Sequence, residues 1–347
     1  MLCVRLAFLA SLAVPFRFPE DSVRLPVLTL LRLLLSSASM SEAVQPDRMV
    51  ILGSGGARIV VAKQLRASGG IWFSLGGNQF LLDPGPGALV RMTGSRHRLD
   101  PTRLAGILLS HRHLDHSGDV NNMIEAMTMG GTEPRGSLFA PSDALEGDDP
   151  VVLRYVREFL TEIVTVKEGG KYRLGNVDFT CPVRHHHRGE VYGFRFRVGG
   201  RGTGDGGQET ASASPESMVQ SPESGAGALT WSYIADTRYF PELAEHYRAD
   251  VVIMNVVRLL PSDLDHLHVS DAEELVKAIR PRLTVLSHFG MKMLAARPWV
   301  IAREMSERTG CQVVAATDGM LIDLEELKAG SPESKVQSPE SSAGGAE

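Results

Sequence analysis

Ser110-His111-Arg112-His113-Leu114-Asp115-His116 decides how the rest of the chain is read. Three histidines and an aspartate stand together directly after the apolar run Leu104-Ala105-Gly106-Ile107-Leu108-Leu109, which predicts a buried strand. Ser117-Gly118-Asp119 has the look of a helix start. The cluster therefore falls on a strand-to-helix loop, where a rigid strand can deliver several side chains to one point. His111, His113 and Asp115 are spaced by two and can share a side of extended chain. Imidazole and carboxylate together suit zinc, iron or manganese.

Upstream, Met49-Val50-Ile51-Leu52 predicts a strand and Gly53-Ser54-Gly55-Gly56 a tight turn. This glycine run is no nucleotide loop: it lacks the Gly-Lys-Ser/Thr ending, and no helical pattern with a suitably placed acid follows. Ile71–Leu75 and Gln79–Leu82 around Gly76-Gly77-Asn78 predict a hairpin that ends at Asp83-Pro84-Gly85. Downstream, Val120–Met129 reads as a helix whose methionines belong to the core. Pro150–Ile163 reads as an amphipathic helix with Val152, Tyr155, Val156, Phe159 and Ile163 on one side. A hairpin, Lys171–Leu174 and Val177–Val183, leads into His185-His186-His187. Later strands lead into Asp236 and His288, and His268 stands two residues before a Ser270-Asp271-Ala272-Glu273 helix start.

The spacing His-x-His-x-Asp-His resembles the signature of the metallo-β-lactamase superfamily. The resemblance covers about Met49 to Leu327 and implies an α/β fold, a four-layer αβ/βα sandwich with metals at one edge of its two sheets. The Gly130-Gly131-Thr132-Glu133-Pro134 turn and Tyr192-Gly193 after the histidine run look most like ribonuclease Z and its phosphodiesterase relatives. On this resemblance two divalent cations, zinc with manganese or iron as alternatives, are held by His111, His113, Asp115, His116, His187, Asp236 and His288. His187 is the third histidine by its count to the Tyr-Gly pair, with His185 as the alternative. Asp236 would lie between the cations, Asp83 would support the metal loop or serve as a plain turn former, and Asp115 and His268 would be catalytic. The activity implied is hydrolysis of a phosphodiester by water that the metals activate. A thioester or lactone hydrolase on the same metals is the alternative, and an inactive scaffold is disfavoured by the intact ligand set. The partner expected is a small-molecule or exposed-end phosphodiester, with a homodimer also open to the chain.

Composition narrows these classes. Cys3, Cys181 and Cys311 show no paired spacing, so no disulfide framework is expected and a reducing, cytoplasmic setting fits. No cysteine stands where true β-lactamases place a ligand. Residues 1–45 are expected to lie outside the fold, as a leader or as sequence upstream of a start at Met40. Neither apolar run there reaches the roughly 20 residues needed to span a bilayer. The low-complexity insertion 199–229 and the tail 331–347 share a near-repeat, Ser214–Ser224 and Ser331–Ser341, and both are expected to be disordered. Their net charges of −3 and −2 account for the whole formal charge of −5, so no basic face announces a nucleic-acid partner. The acidic insertion occupies the interval where ribonuclease Z often carries a basic arm, which counts against tRNA 3′-end cleavage. Excising residues 202–226 should leave the melting temperature and metal content unchanged. The segment has too little apolar surface to offset its ordering entropy, and a large fall in melting temperature would show that it packs on the domain.

Overall fold

The computed structural model describes residues 46–198, 229–328 and 336–337. The N-terminal extension, the insertion and most of the tail, with the expectations placed on them, lie outside the described residues. Within these bounds the chain alternates short strands and helices. The first strands are β1 (Arg48–Ile51), β2 (Ile71–Leu75), β3 (Asn78–Leu82), β4 (Leu104–Leu108), β5 (Ser137–Pro141) and β6 (Glu162–Val166). Next come β7 (Gly170–Leu174), β8 (Val177–Cys181), β9 (Phe194–Val198), β10 (Thr230–Ile234), β11 (Val251–Asn255) and β12 (Leu283–Ser287). Strands β13 (Val313–Ala315), β14 (Met320–Asp323) and β15 (Val336–Gln337) close the described chain.

They form two mixed sheets, one in the order β15-β14-β1-β2-β3-β4-β5-β6 and the other β13-β12-β11-β10-β9-β8-β7. Each sheet joins an antiparallel part to a parallel part. Strands β3 to β6 run parallel in the first, and β10 to β13 in the second. The expected hairpin is β2 and β3, with Gly76 and Gly77 both at positive φ, a backbone state only glycine enters freely.

Alternation along the strands separates two cores. Phe73 and Phe80 point between the sheets and stack at 4.9 Å, and Phe80 meets Phe196 of the other sheet at 5.6 Å. Their neighbours Trp72 and Leu81 face outward onto α4 (Val120–Met127), which follows α1 (Arg58–Ala62), α2 (Ala88–Thr93) and α3 (Leu114–Ser117). Met123 and Met127 are fully buried there, as core residues. Further on come α5 (Ser142–Leu145), α6 (Arg154–Arg157) and α7 (Leu243–His246). Beside the second sheet, α8 (Val269–Ile279) buries Leu275 and Val276, and α10 (Pro298–Thr309) buries Met305, after α9 (Met291–Ala295). The result is the expected α/β sandwich, two sheets flanked by helices.

Two local expectations are corrected. Pro150–Ile163 is no amphipathic helix: only the single turn α6 forms, and Ile163 belongs to β6. The β-branched run Ile163-Val164-Thr165-Val166 favours extended chain, and pairing with β5 realises it. Tyr155 and Ile163, counted on the apolar face, are exposed. In the tail, Val336–Gln337 is not left unpaired but adds antiparallel to Leu321 and Ile322 of β14, whose outer edge otherwise offers free backbone groups.

The architecture brings the carboxyl ends of parallel strands from both sheets to one edge, the usual place for a site in such sheets. Strand β3 ends at Asp83, β4 at the histidine loop, β10 at Asp236 and β12 at His288. Two backbone bonds tie the edge together: Phe289 N donates to Ser54 O at 3.0 Å, and Gly56 N donates to Phe289 O at 3.2 Å. A methyl group at Gly56 would overlap the His288 ring. Gly56→Ala should therefore cost about 1–3 kcal/mol by overpacking, read from the denaturation midpoint. An unchanged midpoint would mean that the loop yields freely.

Candidate metal centre

The loop after β4 places its donors as the spacing suggests. His111 is buried, His113 is the residue before α3, and Asp115 and His116 lie in the first turns of α3. What fixes them is Asp83, a carboxylate only 4 % exposed. It accepts from Ser110 N at 2.7 Å, Ser110 Oγ at 2.6 Å, His116 Nδ1 at 2.9 Å and the Tyr233 hydroxyl at 2.8 Å. Because the Ser110 hydroxyl donates to Asp83, its oxygen accepts from His111 Nδ1 at 2.9 Å. His187 Nδ1 donates to Asp265 O at 2.8 Å. In three histidines the proton is thus placed on Nδ1, which leaves the Nε2 lone pair free.

Those lone pairs converge. His111 Nε2 is 3.1 Å and His187 Nε2 3.3 Å from His113 Nδ1, and His116 Nε2 is 3.1 Å from His288 Nε2. One ring proton at His113 cannot satisfy both of its neighbours, and facing lone pairs repel. A cation between them resolves both conflicts, so the donor set fits metal. Four groups have ligand atoms within 4.8 Å of one another: His111, His113 and His187; Asp115, His116 and His288; His111, His116 and Asp236; His187, Asp236 and His266. Asp236 joins the first two groups. Its Oδ2 is 3.6 Å from His116 Nε2, its Oδ1 is 3.6 Å from His288 Nε2, and Asn255 Nδ2 donates to Oδ1 at 2.9 Å. Asp115 Oδ2 accepts from Ala57 N at 3.1 Å and lies 3.4 Å from His288 Nε2.

The electrostatics divide the histidines. Burial lowers His111 well below the ordinary imidazole value, and burial with the nearby His187 lowers His113, so both favour the neutral form a metal needs. Burial would also lower His116, but the carboxylates of Asp83 and Asp236 outweigh it and hold its pKa well above normal. Burial opposes charge on Asp236 and Asp115, yet the neighbouring His288 and His116 keep both carboxyls well below the usual range. The edge is built to stabilise positive charge.

All seven residues expected as ligands are brought together. The histidine run divides by function: His187 faces the centre, while His185 donates or accepts at Tyr247 OH at 2.7 Å and burial pushes its pKa down to about 3. His186 packs on Phe240. The run also lies beyond β8, which ends at Cys181, on a loop held by pairing of Arg184 with Tyr192. Cys181 and Cys311 are buried outside the four groups.

His268 belongs to none of the four donor groups among the described residues. It is the N-cap of α8, its Nδ1 accepting from Ser270 Oγ at 2.8 Å and from Asp271 N at 3.4 Å, with Nε2 3.2 Å from Asp271 Oδ1. The residue that sequence reasoning missed is His266, whose Nδ1 is 3.5 Å from Asp236 Oδ2 and whose ring stands 4.8 Å from that of His187. Burial lowers its pKa and Asp236 opposes that shift. His266 and His268 are two apart in one short loop, and only the capping geometry separates their roles.

Comparison with known proteins bears on this edge. Residues 78–204 match the model of the beta-lactamase superfamily domain. An uncharacterized protein of Methanocaldococcus jannaschii is 29 % identical over 283 residues, covering 80 % of this chain and 94 % of that protein. Among solved structures, the metallo-beta-lactamase fold protein YhfI from Bacillus subtilis is similar with a TM-score of 0.57 at 17 % identity, covering 80 % of this chain and 99 % of that one. A diphosphatase from the PhnP family gives 0.52 at 18 % identity, covering 80 % and 96 %. Residues 78–204 thus carry the match to the beta-lactamase superfamily domain, and the sandwich around them shares the metallo-β-lactamase fold of these solved structures.

Proposed function

We propose that this chain is a binuclear metal-dependent phosphodiesterase. His111, His113 and His187 would hold one divalent cation and Asp115, His116 and His288 the other, with Asp236 offering an oxygen to each. Such a pair, when bound, polarises a phosphoryl oxygen and brings the pKa of water toward neutrality. Zinc, manganese and iron all suit the donors. Asp115, anchored at Oδ2 by Ala57 N, would orient the attacking water.

The observation that favours a phosphodiester over a thioester is His266. An alkoxide leaving from phosphorus must take up a proton, whereas a thiolate leaving from a thioester needs none at neutral pH. His266 Nδ1 is buried without a hydrogen-bond partner among the described residues and faces the Asp236 carboxylate. With Nδ1 turned to Asp236, the opposite ring nitrogen, Nε2, would hold the proton passed to the departing oxygen. His268, bound to Ser270 and Asp271 at both ring nitrogens, stiffens the start of α8 instead.

His266→Ala should cut turnover of an alkyl phosphodiester by about 10²–10⁴-fold. A nitrophenyl ester, whose phenolate barely needs protonation, should lose far less. His268→Ala should cost roughly 1 kcal/mol of stability, as a lost cap does, and leave the ratio between the two esters in place. Equal losses on both esters in His266→Ala would rule out proton donation. Cleavage of a thioester but of no phosphodiester by the wild type would overturn the assignment.

A further inference from the structure

The loops around the metal centre are clamped in two pairs, and each pair carries or leads into two exposed cations. Beside His111, His113 and His187, His186 N donates to Thr237 Oγ1 at 3.1 Å and Arg238 N donates to His186 O at 3.1 Å. That clamp puts Arg188, next to His187, and Arg238, two residues past Asp236, on adjoining loops, and both are exposed. Beside Asp115, His116 and His288, the bonds between Phe289 and the Ser54–Gly56 turn join the loops that lead into α1 and α9, whose first turns carry Arg58 and Lys292, again both exposed.

None of these four cations forms an ion pair with a carboxylate among the described residues. Several of the nearby acids are already engaged. Glu190 accepts from Ser142 N and Oγ, Asp143 accepts from Glu190 N, and Asp115 and Asp236 face the centre. Exposed cations on segments beside the centre attract an anionic ligand and steer it toward them. The whole-chain net charge of −5 hides this local concentration.

We propose that Arg188 with Arg238, and Arg58 with Lys292, bind phosphate groups flanking the scissile one, so that the substrate is a nucleotide phosphodiester carrying at least one further phosphate. This rests on the phosphodiesterase function proposed above. One flanking phosphate engages one pair, and an internal linkage between two phosphates engages both. Exposed pairs of this kind act modestly one by one and are screened by salt.

Two esters separate the contributions: the nitrophenyl ester of thymidine 5′-phosphate with, and without, a 3′-phosphate. They share the scissile bond and the leaving group. The metal-loaded wild type should favour the 3′-phosphorylated ester by about tenfold in kcat/KM, through KM, and the preference should shrink as sodium chloride rises. Independently of turnover, calorimetric binding of thymidine 3′,5′-bisphosphate should weaken by about tenfold in Arg188→Gln/Arg238→Gln or in Arg58→Gln/Lys292→Gln. The two double variants lie on separate segments, so a folding failure in one, seen in its melting curve and metal content, leaves the other as the test. Equal kcat/KM for the two esters, or unchanged bisphosphate affinity in the folded variants, would overturn the proposal while leaving the phosphodiesterase function standing. Cleavage of neither ester would remove that function and this substrate class together.

Discussion

The buried Asp83 carboxylate is the interaction on which the rest of this edge depends. It accepts four hydrogen bonds, two from Ser110, one from His116 and one from Tyr233. A hydrogen bond to a charged group contributes about 1.5–3 kcal/mol, and a buried carboxylate left without them would carry a large desolvation cost. The bonds also transmit geometry. Through Ser110 they set the His111 tautomer, directly they set that of His116, and through Tyr233 and Asn255 they reach Asp236. Three proposed ligands from two sheets are thus aligned by one side chain.

The backbone bears a cost for this. Asp83 and His288 both follow a strand and both adopt left-handed φ, 51° and 60°. For residues other than glycine such conformations cost of order 1–3 kcal/mol and persist where surrounding contacts over-determine them. Asp83 has its four donors. His288 is hemmed by Gly56 and by the bonds of Phe289 to the opposite loop. Strain is thus present at both points where the sheets must turn side chains toward each other.

Much of this was legible in the sequence because it is local. The histidine loop, the glycine-rich turns, the β2–β3 hairpin and the helices from Val120 and Val269 are each written within about ten residues of chain. The proposed ligands His187, Asp236 and His288 were reachable as polar residues at the ends of apolar runs, with the family spacing to select among them. What failed was what tertiary pairing decides. Pro150–Ile163 carries a helical pattern, but β5 offers an open edge that its β-branched end completes as β6. His266 and His268 look alike in sequence, and the helix start, by capping α8 with His268, turns only His266 toward Asp236. The cationic pairs were invisible because their members are far apart in sequence and the net charge averages them away.

The central claim is that two cations sit between the sheets, and anomalous scattering from crystals of metal-supplemented protein tests it most directly. The account predicts two peaks about 3.5–4 Å apart, one among His111, His113 and His187 and the other among Asp115, His116 and His288, with Asp236 reaching both. A single peak, or a second one away from Asp115, His116 and His288, would contradict it.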